Sequence, residues 1–368
     1  MPFEVVFGTV LLIRFFLPFT ILRWPLPGVV ACLVVDGIDQ SVFQWFGYDP
    51  PFYQGYDKAM DVFYLGVAYI STLPNWVSIP AFNVSRFLFF YRQIGVVAFE
   101  LTQVRALLMI FPNTFEYFFI AYEAIRARWN TVRFQLKFWV ITAAFIWIVI
   151  KLPQEYWIHI AQLDFTDTVR DYSWFLPLIV VLALIALIIL WVFVRPRLDP
   201  ADHTWQIVAP PVPEAIDNAG ARTAYMARYG KVWSVASLEK ALLIGLLFVI
   251  FASVLPTTDL NNLRLFGWVG VFVLINAAIS LWVARRNYST ESVLTTFVAR
   301  LVVNFGLVVG LEVTFGTETS VGDMLFFLVL FSVLITLYDR YRPVYEYRAH
   351  QDSVEPPFSQ RSDTGNDG

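Results

Sequence analysis

Residues 174–194 read WFLPLIVVLALIALIILWVFV, an unbroken apolar run with no charged side chain. A helix needs about 20 mostly apolar residues to cross the hydrocarbon core of a bilayer, within a range of about 17–25. The run meets that length, and its apolar residues are continuous rather than alternating, which excludes a strand of a transmembrane barrel. The same rule marks further candidate spans on the C-terminal side at Val235–Leu255, Leu265–Ala284, Val293–Leu311 and Gly322–Leu337, with Phe134–Ile150 just before it. Toward the N-terminus the candidates are Phe3–Leu22, Pro27–Trp45, Met60–Leu73, Ile94–Phe111 and a short Thr114–Ile125 that either spans a thinned bilayer or lies at its interface. The expected fold is all-α, a polytopic helical bundle with about 10–11 transmembrane helices.

Composition agrees. Hydrophobic residues make up 58% of the chain and charged residues 15%, against about 25% charged in a soluble domain. Mean hydropathy is +0.61. A water-exposed surface cannot be assembled from that composition, so the expected partner is the lipid bilayer. The net charge of −3 provides no basic footprint for nucleic acid. One cysteine, Cys32, excludes a disulfide framework or a thiolate metal cluster. The histidines, His159, His203 and His350, lie outside the candidate spans, so no bis-histidine haem site is expected, and no other cofactor is implied.

Lysine and arginine placement sets the orientation. With Arg195, Arg197, Arg222, Arg228 and Lys231 in the cytoplasm, alternation also brings Arg285, Arg286 and the Arg340/Arg342/Arg348 tail inside. Arg23, Arg86, Arg92, Arg126, Arg128, Arg133 and Lys137 follow. The opposite loops carry acids, including Glu155, Asp164, Asp167, Asp171 and Glu318. The expectation is a multi-pass protein of the cell (inner) membrane with a cytoplasmic C-terminus. The chain divides into an N-terminal bundle (1–195), a cytoplasmic loop (196–234), a four-helix C-terminal bundle (235–340) and a disordered tail (341–368).

Charge inside a membrane costs roughly 2.5–3.5 kcal/mol per group on insertion scales, so groups found there face a cavity or a partner. The N-terminal half is rich in them. Asp36, Asp39 and Gln40 sit at i, i+3, i+4, and Asp57 and Asp61 at i, i+4, with Lys58 in reach of Asp61. From Phe82 to Ile110, read as one helix, Arg86, Gln93 and Glu100 nearly superimpose while Arg92 and Gln103 fall beside them, all within a sector of roughly 120°. Asn113, Glu116 and Glu123 share the next helix face, and Glu123 reaches Arg126. Set against Lys58, Arg86, Arg92 and Arg105, the acids are in excess, so pairing alone leaves some unmatched. The candidate pathway-lining residues are therefore Asp36, Asp39, Asp57, Asp61, Arg86, Arg92, Gln93, Glu100, Gln103, Glu116 and Glu123.

No catalytic motif accompanies them. Asp36-Gly37 with Asp57-x-x-x-Asp61 departs from the metal signature of the CDP-alcohol phosphatidyltransferases, because Leu33, Gln40 and Ser41 stand where an acid and an Ala-Arg pair belong. P-loop, dinucleotide, HExxH and nucleophile-elbow patterns are missing. Gly28–Cys32 has the outline of a lipoprotein cleavage box, yet it lacks a charged n-region and the chain stays apolar beyond it, so Cys32 reads as a small core residue. The leading expectation is transport of a small solute or ion through the N-terminal bundle, coupled to protons. The alternatives are a membrane-embedded enzyme acting on lipid or polyprenyl-linked substrates through Asp57 or Asp61, and a scaffold subunit locked by charge pairs.

Overall fold

The computed structural model describes residues 3–48, 53–161, 168–169, 171–189, 191–192, 195–218, 220–222, 224–225, 235–254, 271, 275, 291–315 and 321–354. Every regular element among them is helical. The helices are α1 (Phe3–Phe16), α2 (Pro25–Trp45), α3 (Tyr53–Asn75), α4 (Ile79–Thr102), α5 (Ala106–Ile110) and α6 (Thr114–Arg126). They continue with α7 (Leu136–Ile160), α8 (Phe175–Ile189), α9 (Val235–Val254), α10 (Glu291–Phe315) and α11 (Val321–Val354). Among the described residues, four stretches are long and apolar enough to cross a membrane: Phe3–Leu22, Pro25–Trp45, Leu136–Ile160 and Met324–Gln351. Apart from Val271 and Ile275, the expected span Leu265–Ala284 lies outside the described residues. Of the expected 341–368 tail, residues 341–354 continue helix α11, and 355–368 lie outside the described residues.

α1 runs into a tight 3-10 turn, Leu17–Leu22, which folds back against the start of α2. Gly28 permits this: a Cβ there would stand 2.8 Å from the Ile21 amide nitrogen and 2.8 Å from Thr20 Oγ1. α4 starts at Ser78, whose side chain accepts from the Ala81 amide. It stops at Gln103, which adopts left-handed backbone with φ 56°. The Phe82–Ile110 stretch is therefore two helices, and Gln103 lies beyond the stripe on an exposed turn, its amide bonded to the Glu100 carbonyl. The expected Ile94–Phe111 span is replaced by α4, which begins much earlier.

α6 is a buried half-length helix. Its 13 residues rise about 20 Å at about 1.5 Å each, too short to cross alone. Phe115, Phe118, Phe119 and Tyr122 are all buried in the core, so the segment packs against protein. α7 carries π-helical turns at Ile146–Lys151 and Tyr156–Ile160, on either side of Pro153, which has no amide hydrogen for a helical bond. It extends past the expected end at Ile150 and so includes Lys151, Glu155 and His159.

α8 and much of α7 present apolar side chains outward. Leu176, Leu178, Val180, Leu182, Leu184 and Ile188 of α8 are each about half exposed, as are Ile141, Phe145 and Ile148 of α7. A helix apolar on all sides and not covered by protein is suited to lipid. The interior is one large core drawn from both halves of the chain. α11 packs most extensively on α3, seated where Gly66 leaves room for the Leu334 side chain.

Charge is arranged in two layers separated by aromatic rings. At one end lie the α2–α3 turn and the start of α1, where Phe3 meets Tyr48 and Phe7 meets Tyr56. Phe15 stacks on Phe63 with centroids 5.4 Å apart between the layers. Tyr69 on Phe89 at 4.3 Å and Trp76 on Tyr122 at 3.6 Å border the far layer, where Tyr69 and Trp76 donate to Glu239 and Glu123. At the other end gather Arg23, Arg126, Arg133 and Arg348, held to the 199–211 segment. Ala209 donates to the Arg23 carbonyl, Arg126 to Val208, Arg133 to Asp199 and Asp202, and Arg348 to Pro211.

Candidate functional site: one arginine among four aspartates

Helix α1 carries one cation, Arg14, with 6% of its side chain exposed. Its guanidinium is the meeting point of two helices' acids. Nη2 donates to Asp36 Oδ1 and to Asp61 Oδ1, each at 2.5 Å, and Nη1 to Asp39 Oδ2 at 2.5 Å and to Asp57. The i, i+3 spacing of Asp36 and Asp39 on α2 and the i, i+4 spacing of Asp57 and Asp61 on α3 put each pair on one helix face. Antiparallel packing then turns both faces toward α1. Counting about 1.5 Å per residue from Tyr53 and Trp45, the cluster lies roughly 6–14 Å below the α2–α3 turn.

The four acids differ in access. Asp39 is 5% exposed, whereas Asp36, Asp57 and Asp61 are 39%, 38% and 44% exposed. The cluster is thus a cup with a buried floor, Arg14 and Asp39, and a partly open rim. Four acidic side chains converge on one guanidinium, so acids outnumber bases among the described contacts of the cup. Asp36, Asp39 and Asp57 each bring a carboxylate oxygen within 4.8 Å of the other two, a spacing suited to a hard, oxygen-ligated cation. Beside the guanidinium is a narrow cleft of about 10 Å³, the room one water needs, whose polar lining is Arg14, Asp36, Cys32 and Tyr64.

Tyr64 connects the cup to a second polar group deeper in the core. Its hydroxyl donates to Glu116 Oε1 at 2.7 Å. Asn113 donates from Nδ2 to Glu116 Oε2 at 3.1 Å and from its amide to Glu155 Oε1 at 3.1 Å. Glu155 also pairs with His159 at 3.0 Å. Asn113 Oδ1 and Thr114 Oγ1, on the same segment as Glu116, are buried without a hydrogen-bond partner.

The remaining expected residues separate by layer. Glu100 pairs with Lys58 at 3.1 Å, so Lys58 turns to α4 and leaves Asp61 to Arg14. Arg92 donates to the Phe111 carbonyl at 2.9 Å. Gln93 is buried, at 1% exposure. Arg86 belongs to the far layer, where Glu239 accepts from Arg86 at 3.4 Å, Arg342 at 2.9 Å and Tyr69 at 2.5 Å. Glu123 lies in that layer too, accepting from Trp76 at 2.8 Å and pairing with Arg126 at 2.6 Å as its spacing implied. The stripe on α4 faces inward, yet Arg86, Gln93 and Glu100 open onto different layers rather than one cavity.

Sequence reasoning missed Arg14, the residue on which the cup depends. The signal was present, since Arg14 is the one charge in the interior of an otherwise apolar Phe3–Leu22 run. Lys151 and Glu155 were hidden because α7 extends past its apolar stretch, and Glu239 because its partners are remote in sequence. No family model matches this chain, and comparison with curated proteins and with solved structures gives no match.

Proposed function

We propose that the protein is a multi-pass membrane transporter of a small cation, with the Arg14–Asp36–Asp39–Asp57–Asp61 cup as its binding site. The observation that carries this reading is the charge imbalance in a partly open site. Four carboxylates hold one tethered cation, and an incoming cation finds the remaining ligand oxygens already assembled. Low-dielectric surroundings strengthen that attraction relative to water. Arg14 serves as the resident counter-ion when the cup is unloaded, which keeps the acids from facing hydrocarbon unpaired. Beyond the cup, the stacked aromatic layer separates it from the far end, so loading and release occur from different conformations. The basic residues at that far end support placing it, with the C-terminus, on the cytoplasmic side of a cell membrane, with the cup opening outward and about ten spans in all.

The full chain in proteoliposomes, assayed for flux of guanidinium and of Mn²⁺, tests the proposal. Wild type is expected to carry at least one of them, and Asp57→Asn to cut that flux tenfold or more. Flux of both no greater than in protein-free liposomes, or an Asp57→Asn variant as active as wild type, would overturn it.

A further inference from the structure

We propose that Glu116 is the proton-coupling group of the cup and that the Tyr64 hydroxyl is the switch between them, so that cation and proton displace one another. This rests on the cation-binding reading of the Arg14 cup. The geometry is specific. Tyr64 lines the cleft beside Arg14 and Asp36, and its O–H is spent on Glu116 at 2.7 Å. A phenol has one hydrogen to donate, and its oxygen keeps acceptor capacity. With Glu116 ionised, the Tyr64 hydrogen points away from the cup and its oxygen is left as an acceptor, which favours a cation.

When Glu116 takes up a proton, it donates its own O–H to the Tyr64 oxygen. The Tyr64 hydrogen is then free to rotate toward Asp36, presenting a donor where a cation would sit. The proton taken up resides on Glu116; no other bond changes. Loading a cation favours the first arrangement and expels that proton, and by linkage a proton on Glu116 weakens cation binding by the same factor.

Groups facing Glu116 come from every helix packed on α6. Arg92 approaches from α4, Lys151 and Glu155 from α7, Asp36 and Cys32 from α2 and Tyr64 from α3, with Asn113 and Tyr117 on its own segment. Lys151 is committed to Gln154 at 3.0 Å and to the Tyr117 ring at 4.1 Å, and Arg92 to Phe111. Neither cation is hydrogen-bonded to Glu116. The buried carboxyl is thus hydrogen-bonded to Tyr64 and Asn113 while Lys151 and Arg92 act on it only at longer range, with Asn113 Oδ1 and Thr114 Oγ1 as buried polar atoms without a partner on the same segment. A structural carboxylate would be closed by a direct charge pair, as Glu123 is by Arg126.

The test is binding of guanidinium and of Mn²⁺ to the full chain in lipid nanodiscs, measured between pH 5 and 8 with proton release followed by an indicator dye. In wild type, cation binding is expected to release protons, and affinity to rise with pH. In Glu116→Gln, which preserves shape and the acceptor for Tyr64 while the Asn113 amide must turn to accept from the new NH2, release is expected to fall by about one proton and the slope of log affinity against pH to drop by about one. Tyr64→Phe keeps the carboxyl and removes the switch, so it is expected to lose the same proton. Proton release unchanged in Glu116→Gln would overturn the coupling while leaving the cup intact. Absence of binding by wild type at any pH would overturn the cup reading, and the coupling with it. Should Glu116→Gln fail to give a monodisperse protein, Tyr64→Phe alone decides, since full proton release in that variant contradicts the switch.

Discussion

The Arg14 guanidinium and the Asp39 carboxylate meet at 2.5 Å with 6% and 5% of their side chains exposed, making them the buried floor of a cup whose rim stays open. Removing one member of a buried ion pair leaves the other charged and unmatched, which costs about 3–5 kcal/mol. Arg14→Ala strands four acids at once, so it is expected to unfold at a clearly lower temperature in detergent than wild type. Added methylguanidinium, by filling the vacated centre, should restore part of the loss. Arg14→Lys should fall between, because an ammonium has three donors and no planar fork. An Arg14→Ala protein as stable as wild type would mean that the cluster does not hold α1 in place.

The rim and the floor should respond with different magnitudes. Asp39 shares its burial with Arg14, and Asp39→Asn is expected to cost about 1.5–3 kcal/mol, the range for a charged hydrogen bond. Asp36 and Asp57 are more than a third exposed, and each belongs to a set with acids in excess. Neutralising either one relieves repulsion as it removes attraction, so Asp36→Asn and Asp57→Asn should remain within about 1 kcal/mol of wild type. Chemical denaturation of the three variants at low salt checks the ordering. Equal losses at all three positions would show that the acids are equivalent.

How much of this was legible depended on the range of the signal. Helical periodicity reads only within one segment, and there it worked: the paired acids of α2 and α3 share faces, Glu123 reaches Arg126, and Glu116 turns inward. Segment ends read less well. Gln103 terminates α4 through a left-handed backbone that neither its side chain nor its neighbours announce, so a stripe drawn through it was too long. α7 continues through Pro153 because π-helical turns flank it, which brought Lys151 and Glu155 into the core against the usual reading of proline. Partner choice was beyond reach. Lys58 had Asp61 three residues away and took Glu100 on another helix, and Glu239 gathered Arg86 and Arg342 from opposite ends of the chain, since packing of helices remote in sequence decides such pairs.

That hub separates stability from binding. Glu239 is 4% exposed and accepts from Tyr69, Arg86 and Arg342, joining α9 to α3, α4 and α11. Glu239→Gln leaves Arg342 beside a neutral amide with Glu346 at 3.2 Å as its remaining carboxylate, with an expected loss of about 1.5–3 kcal/mol. The cup lies beyond the aromatic layer, so guanidinium affinity in the folded fraction should match wild type. Melting temperature and affinity measured on one preparation check both halves. A folded variant with strongly weakened affinity would show that the layers act as one unit.

Placing the two charged layers on opposite membrane faces makes a prediction that ignores mechanism altogether. Cys32 is buried at 7% exposure, and Cys32→Ala gives a background without reactive thiols. Gln44 stands exposed at the cup end and Thr204 in the segment fastened to the arginine-rich end. If hydrocarbon lies between them, an impermeant maleimide applied to intact cells should label Gln44→Cys and spare Thr204→Cys. Inside-out vesicles should reverse the pattern, because the positive end is expected in the cytoplasm. Labelling of both sites from one side would remove the bilayer from between the layers. The Arg14 cluster would then be a buried ion network at a water-exposed end, and the reason for an acid-rich cup to await a cation from outside would go with it.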